Sequence, residues 1–143
     1  MITTITRQQV TNQQRIHHTA DLFGIHFPLL LEPHVYAITD SIAREYNGGY
    51  WEFYTLSNGG FYMAPAIAST TAIDHQYHVV CENGFEGSLS ADALGITACL
   101  YTYSHMSFSN NQKFAATCAQ HYHWLREYML GHPEAQQVLR AID

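Results

Sequence analysis

Residues 50–65 constrain the fold more than any other stretch, because they have the pattern of two strands joined by a turn. From Trp51 onward, alternate residues would face the same side, which is the two-residue period of a strand. The Ser-Asn-Gly-Gly sequence at 57–60 follows, and its residues tolerate the positive φ angles of a tight turn. The run then returns as far as Pro65, which ends pairing because proline has no N–H to donate. The stretch predicts a β-hairpin with at least one face in the core.

A second hairpin is predicted over residues 75–89. The side chains of residues 75–82 alternate between two faces, and Asn83-Gly84 is a strong hairpin-turn dipeptide. Residues 85–89 would form the returning strand. Two successive hairpins, at about 50–65 and 75–89, most simply form one four-stranded antiparallel sheet.

Helical periodicity surrounds the hairpins. Apolar residues at steps of three and four predict helices over about 15–23, 33–46, 91–105, 112–130 and from 133 onward. Gly95 weakens the third of these, because glycine costs up to about 1 kcal/mol relative to alanine in a helix. Residues 1–14 are polar and are expected to be loosely ordered. This order predicts a single α+β domain over 1–143, a two-layer sandwich with helices packed mainly on one face of the sheet.

The charge of the chain argues against nucleic acid as a direct partner. Net charge is −6, from 12 acidic and 6 basic residues. Six scattered basic residues cannot form a nucleic-acid-binding face, and twelve scattered acids cannot imitate duplex DNA, which carries one charge per about 1.7 Å. The sequence also lacks a signal-peptide core and a run of about 20 apolar residues. We therefore expect a soluble cytoplasmic protein without a membrane or DNA partner.

The histidines do not form a familiar metal motif, although there are ten of them. His75 and His78 would point to opposite faces of a strand, and His121 and His123 do not share a helix face. Neither His-Glu-x-x-His nor a Cys-x-x-Cys pair is present. A site assembled from distant segments, such as His78 with His121 or His123, stays open as an alternative.

No nucleophile stands out either. Cys81, Cys99 and Cys118 lie on predicted core faces, where a free thiol is usually inert. The Gly-Ser-Leu-Ser sequence at 87–90 lacks the second glycine of a nucleophile elbow. The sequence therefore predicts no catalytic residue, no metal ligand and no cofactor.

The aromatic side chains of the first hairpin are the remaining functional candidate. An exposed cluster of tyrosine and tryptophan is a frequent signature of protein contact. The candidate protein-contact surface consists of Tyr50, Trp51, Tyr54, Asn58 and Tyr62. The alternative explanation, that the second face of the hairpin is also covered and these side chains are packing, is at least as good.

Three blocks of sequence carry a family resemblance. They are Tyr-Asn-Gly-Gly-Tyr-Trp-Glu-Phe-Tyr-Thr-Leu-Ser-Asn-Gly-Gly-Phe-Tyr-Met-Ala-Pro at 46–65, Asn-Gly-Phe at 83–85 with Ser-Ala-Asp-Ala-Leu-Gly-Ile at 90–96, and His-Pro-Glu at 132–134 with the final Ala-Ile-Asp. The chain from about residue 32 resembles the ArdB/KlcA antirestriction family of plasmids and other mobile elements, whereas the first thirty residues match less well. The resemblance implies an α+β fold and protection of incoming DNA from type I restriction enzymes, without DNA mimicry and without settled catalytic residues.

The leading hypothesis is therefore a non-catalytic protein that relieves type I restriction-modification of foreign DNA through protein contacts. Its partner would be the restriction system or a host factor that controls it, and it would act as a monomer or weak homodimer. Two other classes stay open. One is a small metal-assisted enzyme acting on a host component, which the histidines motivate, and the other is a nucleic-acid-binding module.

Overall fold

The computed structural model describes residues 4–67 and 75–143. Within those ranges the helices are α1 (Arg15–Phe23), α2 (Glu32–Ile42), α3 (Ala91–Met106), α4 (Gln112–Met129) and α5 (Ala135–Ile142), with a 3-10 helix at Asn12–Gln14 and a π-helical turn at Phe27–Leu31. The strands are β1 (Arg7–Gln9), β2 (Trp51–Leu56), β3 (Phe61–Pro65), β4 (Gln76–Val80) and β5 (Glu86–Ser90). The predicted α+β class and both hairpins are confirmed.

The strands form two sheets, so the expectation of one four-stranded sheet is wrong. Strands β2 and β3 pair as the first hairpin, and β1 adds to the other edge of β2. Strands β4 and β5 pair separately. Among the described residues, Val79 of β4 makes an isolated bridge to Ala43, which follows α2. Within the described residues the second hairpin therefore bridges to the end of α2 and does not pair with the first hairpin.

Helix α3 occupies the edge of β3 that a fourth strand would need. The hydroxyl of Tyr103 donates to the carbonyl oxygen of Phe61 at 2.7 Å. The backbone N–H of Met63 donates to the Cys99 sulfur at 3.5 Å, and that thiol lies 3.6 Å from the Met63 carbonyl oxygen. Because a sheet edge needs partners for its unpaired backbone groups, side chains of α3 replace strand pairing here.

The N-terminal segment is better ordered than its polar composition suggests. The Ser57 N–H donates to the Thr6 carbonyl oxygen at 2.8 Å, and the Val10 N–H donates to Phe53 at 2.7 Å. Together with β1 these bonds tie the segment to β2. The expectation of loose order is therefore wrong for residues 7–14, because backbone pairing supplies order that a polar side-chain pattern does not reveal. Residues 1–3, which share that expectation, lie outside the described residues.

Helix α2 ends earlier than the predicted residue 46. Ala43 leaves helical geometry, with φ −120° and ψ 100°, to make its bridge with β4. The apolar periodicity continues past this point because Tyr46 packs edge-on against Trp51, with ring centroids 5.8 Å apart. The half-buried Tyr46, which lies outside the helix, thus mimics one more helical turn in the sequence.

Candidate protein-contact surface

The structure separates the five side chains of the candidate protein-contact surface. Trp51 and Tyr62 are 3% and 0% exposed, whereas Tyr50 is 52% exposed. Tyr54 and Asn58 are half-buried. Burial removes Trp51 and Tyr62 from the surface that a partner could touch. A contact role for Tyr50 and Tyr54 stays a prediction.

Trp51 is buried because α2 and the chain that follows it cover the inner face of β2. Its ring packs edge-on against Tyr36 of α2, with centroids 5.2 Å apart. Its indole N–H donates to the Tyr46 hydroxyl at 2.9 Å, so this buried donor has a hydrogen-bond partner. Trp51 is therefore a core residue with its hydrogen bond made internally.

Asn58 is a structural residue of its turn. Its Oδ1 accepts from the Gly60 N–H at 3.0 Å, and its Nδ2 donates to the Trp124 carbonyl oxygen of α4 at 2.9 Å. Asn83 has the same role in the second hairpin, where its Nδ2 donates to the Ala141 carbonyl oxygen of α5 at 3.1 Å. Each asparagine fixes a hairpin turn to a helix, so Asn58 is engaged inside the protein.

Tyr62 is buried in a polar network that no sequence pattern predicts. Its hydroxyl donates to Asp92 Oδ1 at 2.8 Å, and Arg7 Nη1 donates to the same hydroxyl at 2.8 Å and to Asp92 Oδ1 at 2.7 Å. His132 Nε2 lies 2.9 Å from Asp92 Oδ2. One carboxylate therefore joins β1, β3, the start of α3 and the loop after α4.

The network also determines how its groups ionise. Burial would raise the pKa of Asp92, but hydrogen bonds from His132 and Tyr62 and the charge of Arg7 outweigh it, so this pKa lies below its ordinary value. Burial and the Asp92 charge raise the pKa of Tyr62 well above its ordinary value. The network is an ion pair bridged by a neutral phenol.

The partners of His132 fix its tautomer. The backbone N–H of Glu134 donates to Nδ1 at 3.0 Å, so that nitrogen carries no proton. Nε2 then holds the ring proton and donates to Asp92 at 2.9 Å. A catalytic base needs a free nitrogen that can accept a proton from a substrate. The Asp92–His132 pair lacks one, so it does not work as a catalytic dyad in this arrangement.

A groove lies beside this network on the outer face of β2 and β3, and we call it the outer groove. It encloses about 370 Å³ and is lined by Arg7, Gln9, Glu52, Tyr54, Ala64, Pro65, Ala66, Ile67, Ala91 and Asp92. The Tyr54 and Tyr62 rings stack with centroids 5.0 Å apart, and the Arg7 guanidinium lies 4.2 Å from the Tyr54 centroid. Tyrosine and arginine side chains of this kind are enriched at energetically important protein contacts.

The sequence holds only a weak signal for the outer groove. Asp92 stands in the first turn of a predicted helix, where its charge would be explained by the helix dipole alone. Its partner Arg7 is 85 positions away, in a segment without periodicity. No local pattern pairs the two residues, which is why only the folded chain reveals the site.

The three cysteines are buried and free, as the sequence predicts for Cys81, Cys99 and Cys118. Burial raises the pKa of Cys99 and that of Cys118 to about 12. Since the thiolate is the reactive species, these thiols are not poised as nucleophiles.

The histidines proposed for a site assembled from distant segments lie in different environments. His78 Nε2 contacts Glu86 at 2.9 Å, and His123 is exposed. His121 is 2% exposed, with its ring centroid 4.6 Å from that of Phe23, and burial lowers its pKa to about 4. Across residues 4–67 and 75–143, no group of three or more His, Cys, Asp or Glu side chains is placed to hold a metal ion.

The described part of the chain also lacks any helix with the length and apolar character required to span a bilayer. Fold and surface together define a small α+β protein whose two hairpins are clamped by helices and whose outer groove combines tyrosine with paired charges. The sequence profile of the family described as antirestriction protein matches residues 44–143. The chain belongs to the antirestriction protein family, which confirms the resemblance.

Relatives match nearly the whole chain. It is 41% identical over 141 residues to the uncharacterized protein YafX of Escherichia coli K12, covering 97% of this chain and 88% of YafX. It is 40% identical over 140 residues to the antirestriction protein KlcA of Escherichia coli, covering 97% and 95% of the two chains. A solved structure from work on KlcA and ArdB superposes with a TM-score of 0.87 at 37% identity over 100% of both chains. Those two proteins are described as having a novel fold and antirestriction activity against type I DNA restriction systems in vivo but not in vitro.

Proposed function

We propose that this chain relieves type I restriction-modification of incoming foreign DNA, without catalysis and without imitating DNA. The observation that carries the proposal is its match to KlcA along nearly the full length of both proteins. The partner is the type I restriction-modification system or a host factor that controls it. The chain acts as one domain in the cytoplasm, where restriction enzymes meet incoming DNA, as a monomer or weak homodimer.

The route of action is indirect. KlcA and ArdB are described as active in vivo but not in vitro. A protein that blocked the restriction enzyme by itself would also act on the purified enzyme, so a further cellular component is needed. We propose that this chain needs the same kind of component. The component is either the direct partner of the chain or the link between the chain and the restriction enzyme.

The charges of the chain support protein contact over nucleic-acid contact. Arg7 is paired with Asp92 at 2.7 Å, and Arg15 donates to the Trp51 carbonyl oxygen at 2.6 Å, so these basic groups already have partners. Glu134 accepts from the Ser90 N–H at 2.9 Å. Phosphate binding needs available cations and DNA mimicry needs a regular row of free carboxylates. Arg7, Arg15 and Glu134 are therefore engaged within the protein and serve neither role.

The outer groove and the neighbouring Tyr50 are the proposed contact site. Tyr54 presents its half-buried ring beside Arg7, and Tyr50 is the exposed aromatic at the start of the hairpin. Neither residue is among the fully buried side chains, although the Tyr54 ring stacks on that of buried Tyr62, so the fold of each variant must be verified. With the fold verified, loss of these two rings tests contact separately from folding.

The test is the plating efficiency of unmodified phage on cells that carry an active type I system. We expect the wild-type chain to raise plating and the Tyr50→Ala/Tyr54→Ala double variant to lose this protection. Phe108→Ala is the matched control, because Phe108 is an aromatic residue that is 85% exposed and lies outside the groove. Circular dichroism verifies the fold of each variant. Full protection by the folded double variant would remove the groove from the proposal, and no protection by the wild type would refute the function itself.

Cross-linking in the same cells separates the two kinds of partner. Recovery of restriction-enzyme subunits with the wild type, but not with the double variant, supports direct contact. Recovery of another host protein in that pattern supports the indirect route. Binding of purified protein to DNA that weakens steeply with salt would instead support the nucleic-acid-binding alternative.

A further inference from the structure

We propose that His34 and His105 form a binding site for a divalent transition-metal ion of the copper, nickel and zinc class. His34 lies near the start of α2, and His105 lies in the last turn of α3. Nε2 of His34 and Nδ1 of His105 share a hydrogen bond at 3.0 Å, and the two rings are nearly perpendicular at 87°. A bound ion would take the place of the proton between the two nitrogens. Neither this pair nor its separation follows from sequence spacing, since the residues are 71 positions apart.

The nitrogen–nitrogen distance fits two bonds to one ion. Metal–imidazole bonds are about 2.0–2.1 Å long, so two of them span the observed separation when the angle at the metal is about 94°. That angle is close to the cis angle of square-planar Cu²⁺ and Ni²⁺ sites. A tetrahedral Zn²⁺ site needs a separation of about 3.3 Å, which a shift of a few tenths of an ångström supplies.

The protonation of the pair also favours metal binding. Burial and the neighbouring His105 lower the pKa of His34. Its ring is therefore neutral at neutral pH, which is the form that binds metals. His105 is exposed, so an ion can enter from solvent.

The site is open, with two protein ligands. No third His, Cys, Asp or Glu joins the pair within the described ranges. The remaining coordination positions belong to water or to a ligand from a partner. A cavity of about 90 Å³, lined in part by His105, Tyr101 and Glu82, lies beside the pair. An ion bound by His34 and His105 would link the start of α2 to the end of α3.

Metal binding should be measured on tag-free protein by calorimetric titration with NiCl₂, because a histidine tag would bind the same ions. We expect one site whose affinity falls at least about tenfold in His34→Ala and in His105→Ala, since even loss of a group behind a metal ligand costs that much. Near saturation the wild-type melting temperature should rise by on the order of 5 °C, with no rise in either variant. Substoichiometric Cu²⁺ should broaden the amide resonances around residues 34 and 105 first.

His17→Ala is the matched control. His17 is an exposed helical histidine with Asp21 at 3.3 Å, so its loss tests whether any surface histidine beside a carboxylate accounts for binding. It should leave the affinity unchanged. If an alanine variant fails to fold by circular dichroism, His34→Gln or His105→Gln replaces it. Absence of binding at millimolar nickel, wild-type affinity in the folded His34 and His105 variants, or broadening centred elsewhere would overturn the proposal. The antirestriction function does not depend on this site, so its plating assay is independent.

Discussion

Gly95 lies in α3 where the helix passes strand β3. A Cβ added to Gly95 would lie 2.4 Å from the Ala64 Cβ and 2.5 Å from both the Ala64 Cα and the Met63 carbonyl oxygen. Two of these three neighbours are backbone atoms, which cannot rotate away. Carbon atoms pack at about 3.5–4.0 Å, so Gly95→Ala must move the helix and the strand apart by about 1 Å.

The expected loss follows from that displacement. Overpacking of a core contact costs about 1–3 kcal/mol. The movement also stretches the buried bond from the Tyr103 hydroxyl to the Phe61 carbonyl oxygen, now 2.7 Å, and an unsatisfied buried group costs about 1–3 kcal/mol. Alanine returns about 1 kcal/mol as the better helix former. We therefore expect the free energy of unfolding to fall by about 1–5 kcal/mol, with about 3 kcal/mol at the centre of that range, a large part of the roughly 5–15 kcal/mol of a typical domain.

Urea unfolding followed by circular dichroism measures this difference. Gly131→Ala is the control, because a Cβ there would meet only the Tyr128 carbonyl oxygen at 3.7 Å, an ordinary contact. Its unfolding midpoint should stay close to that of the wild type, whereas Gly95→Ala should also melt lower by about 6 °C or more. A Gly95→Ala variant as stable as the wild type, or more stable, would refute the close-approach argument.

Two further predictions concern buried titratable groups. The pKa of His121 is lowered by burial to about 4 in the folded state from 6.5, so its contribution to stability is complete above pH 6.5 and is lost as pH falls toward 4. The full loss in the free energy of unfolding is about 3 kcal/mol. Urea unfolding between pH 6.5 and pH 4 should therefore show a smaller pH dependence in His121→Gln than in the wild type. Identical pH profiles of the two proteins would contradict this. The second prediction concerns the thiols. Burial raises the pKa of Cys99 and that of Cys118 to about 12, and Cys81 is also buried. A thiol reagent at pH 8 should therefore label none of the three in the native protein and all three in urea. Rapid labelling of the native protein would show that a thiol is exposed.

The local elements could be predicted because their causes lie within a few residues. The Ser90 side chain accepts from the Ala93 N–H at 3.1 Å, and Asn111 accepts from the Phe114 N–H at 3.0 Å, so both helix starts follow from capping chemistry. Gly59 takes φ 107° at the turn where the sequence places it. The two capping bonds join residues only three positions apart, so a short stretch of sequence is enough to predict them.

The candidate contact surface was less predictable, because alternation assigns side chains to faces without saying which faces are covered. Trp51 lies on the inner face, as its alternation suggests. Tyr62 belongs to the outer face and is nevertheless buried. The ring of Tyr128 in α4 stacks on its ring with centroids 5.8 Å apart, and Asp92 accepts a hydrogen bond from its hydroxyl. The polar network and the His34–His105 pair likewise depend on segments that are far apart in sequence.

Sequence by itself determined the α+β class, the two hairpins, the helix starts and the family, since each depends on residue types at short spacing. Tertiary structure decided that α3 and not a fourth strand covers β3, that the outer face closes over Tyr62, and that Gly95 serves close packing where helix propensity alone would favour alanine. The physical reason is the range of the forces involved. Turn and capping preferences act between neighbours along the chain, whereas edge pairing and burial are settled by contacts that exist only after folding.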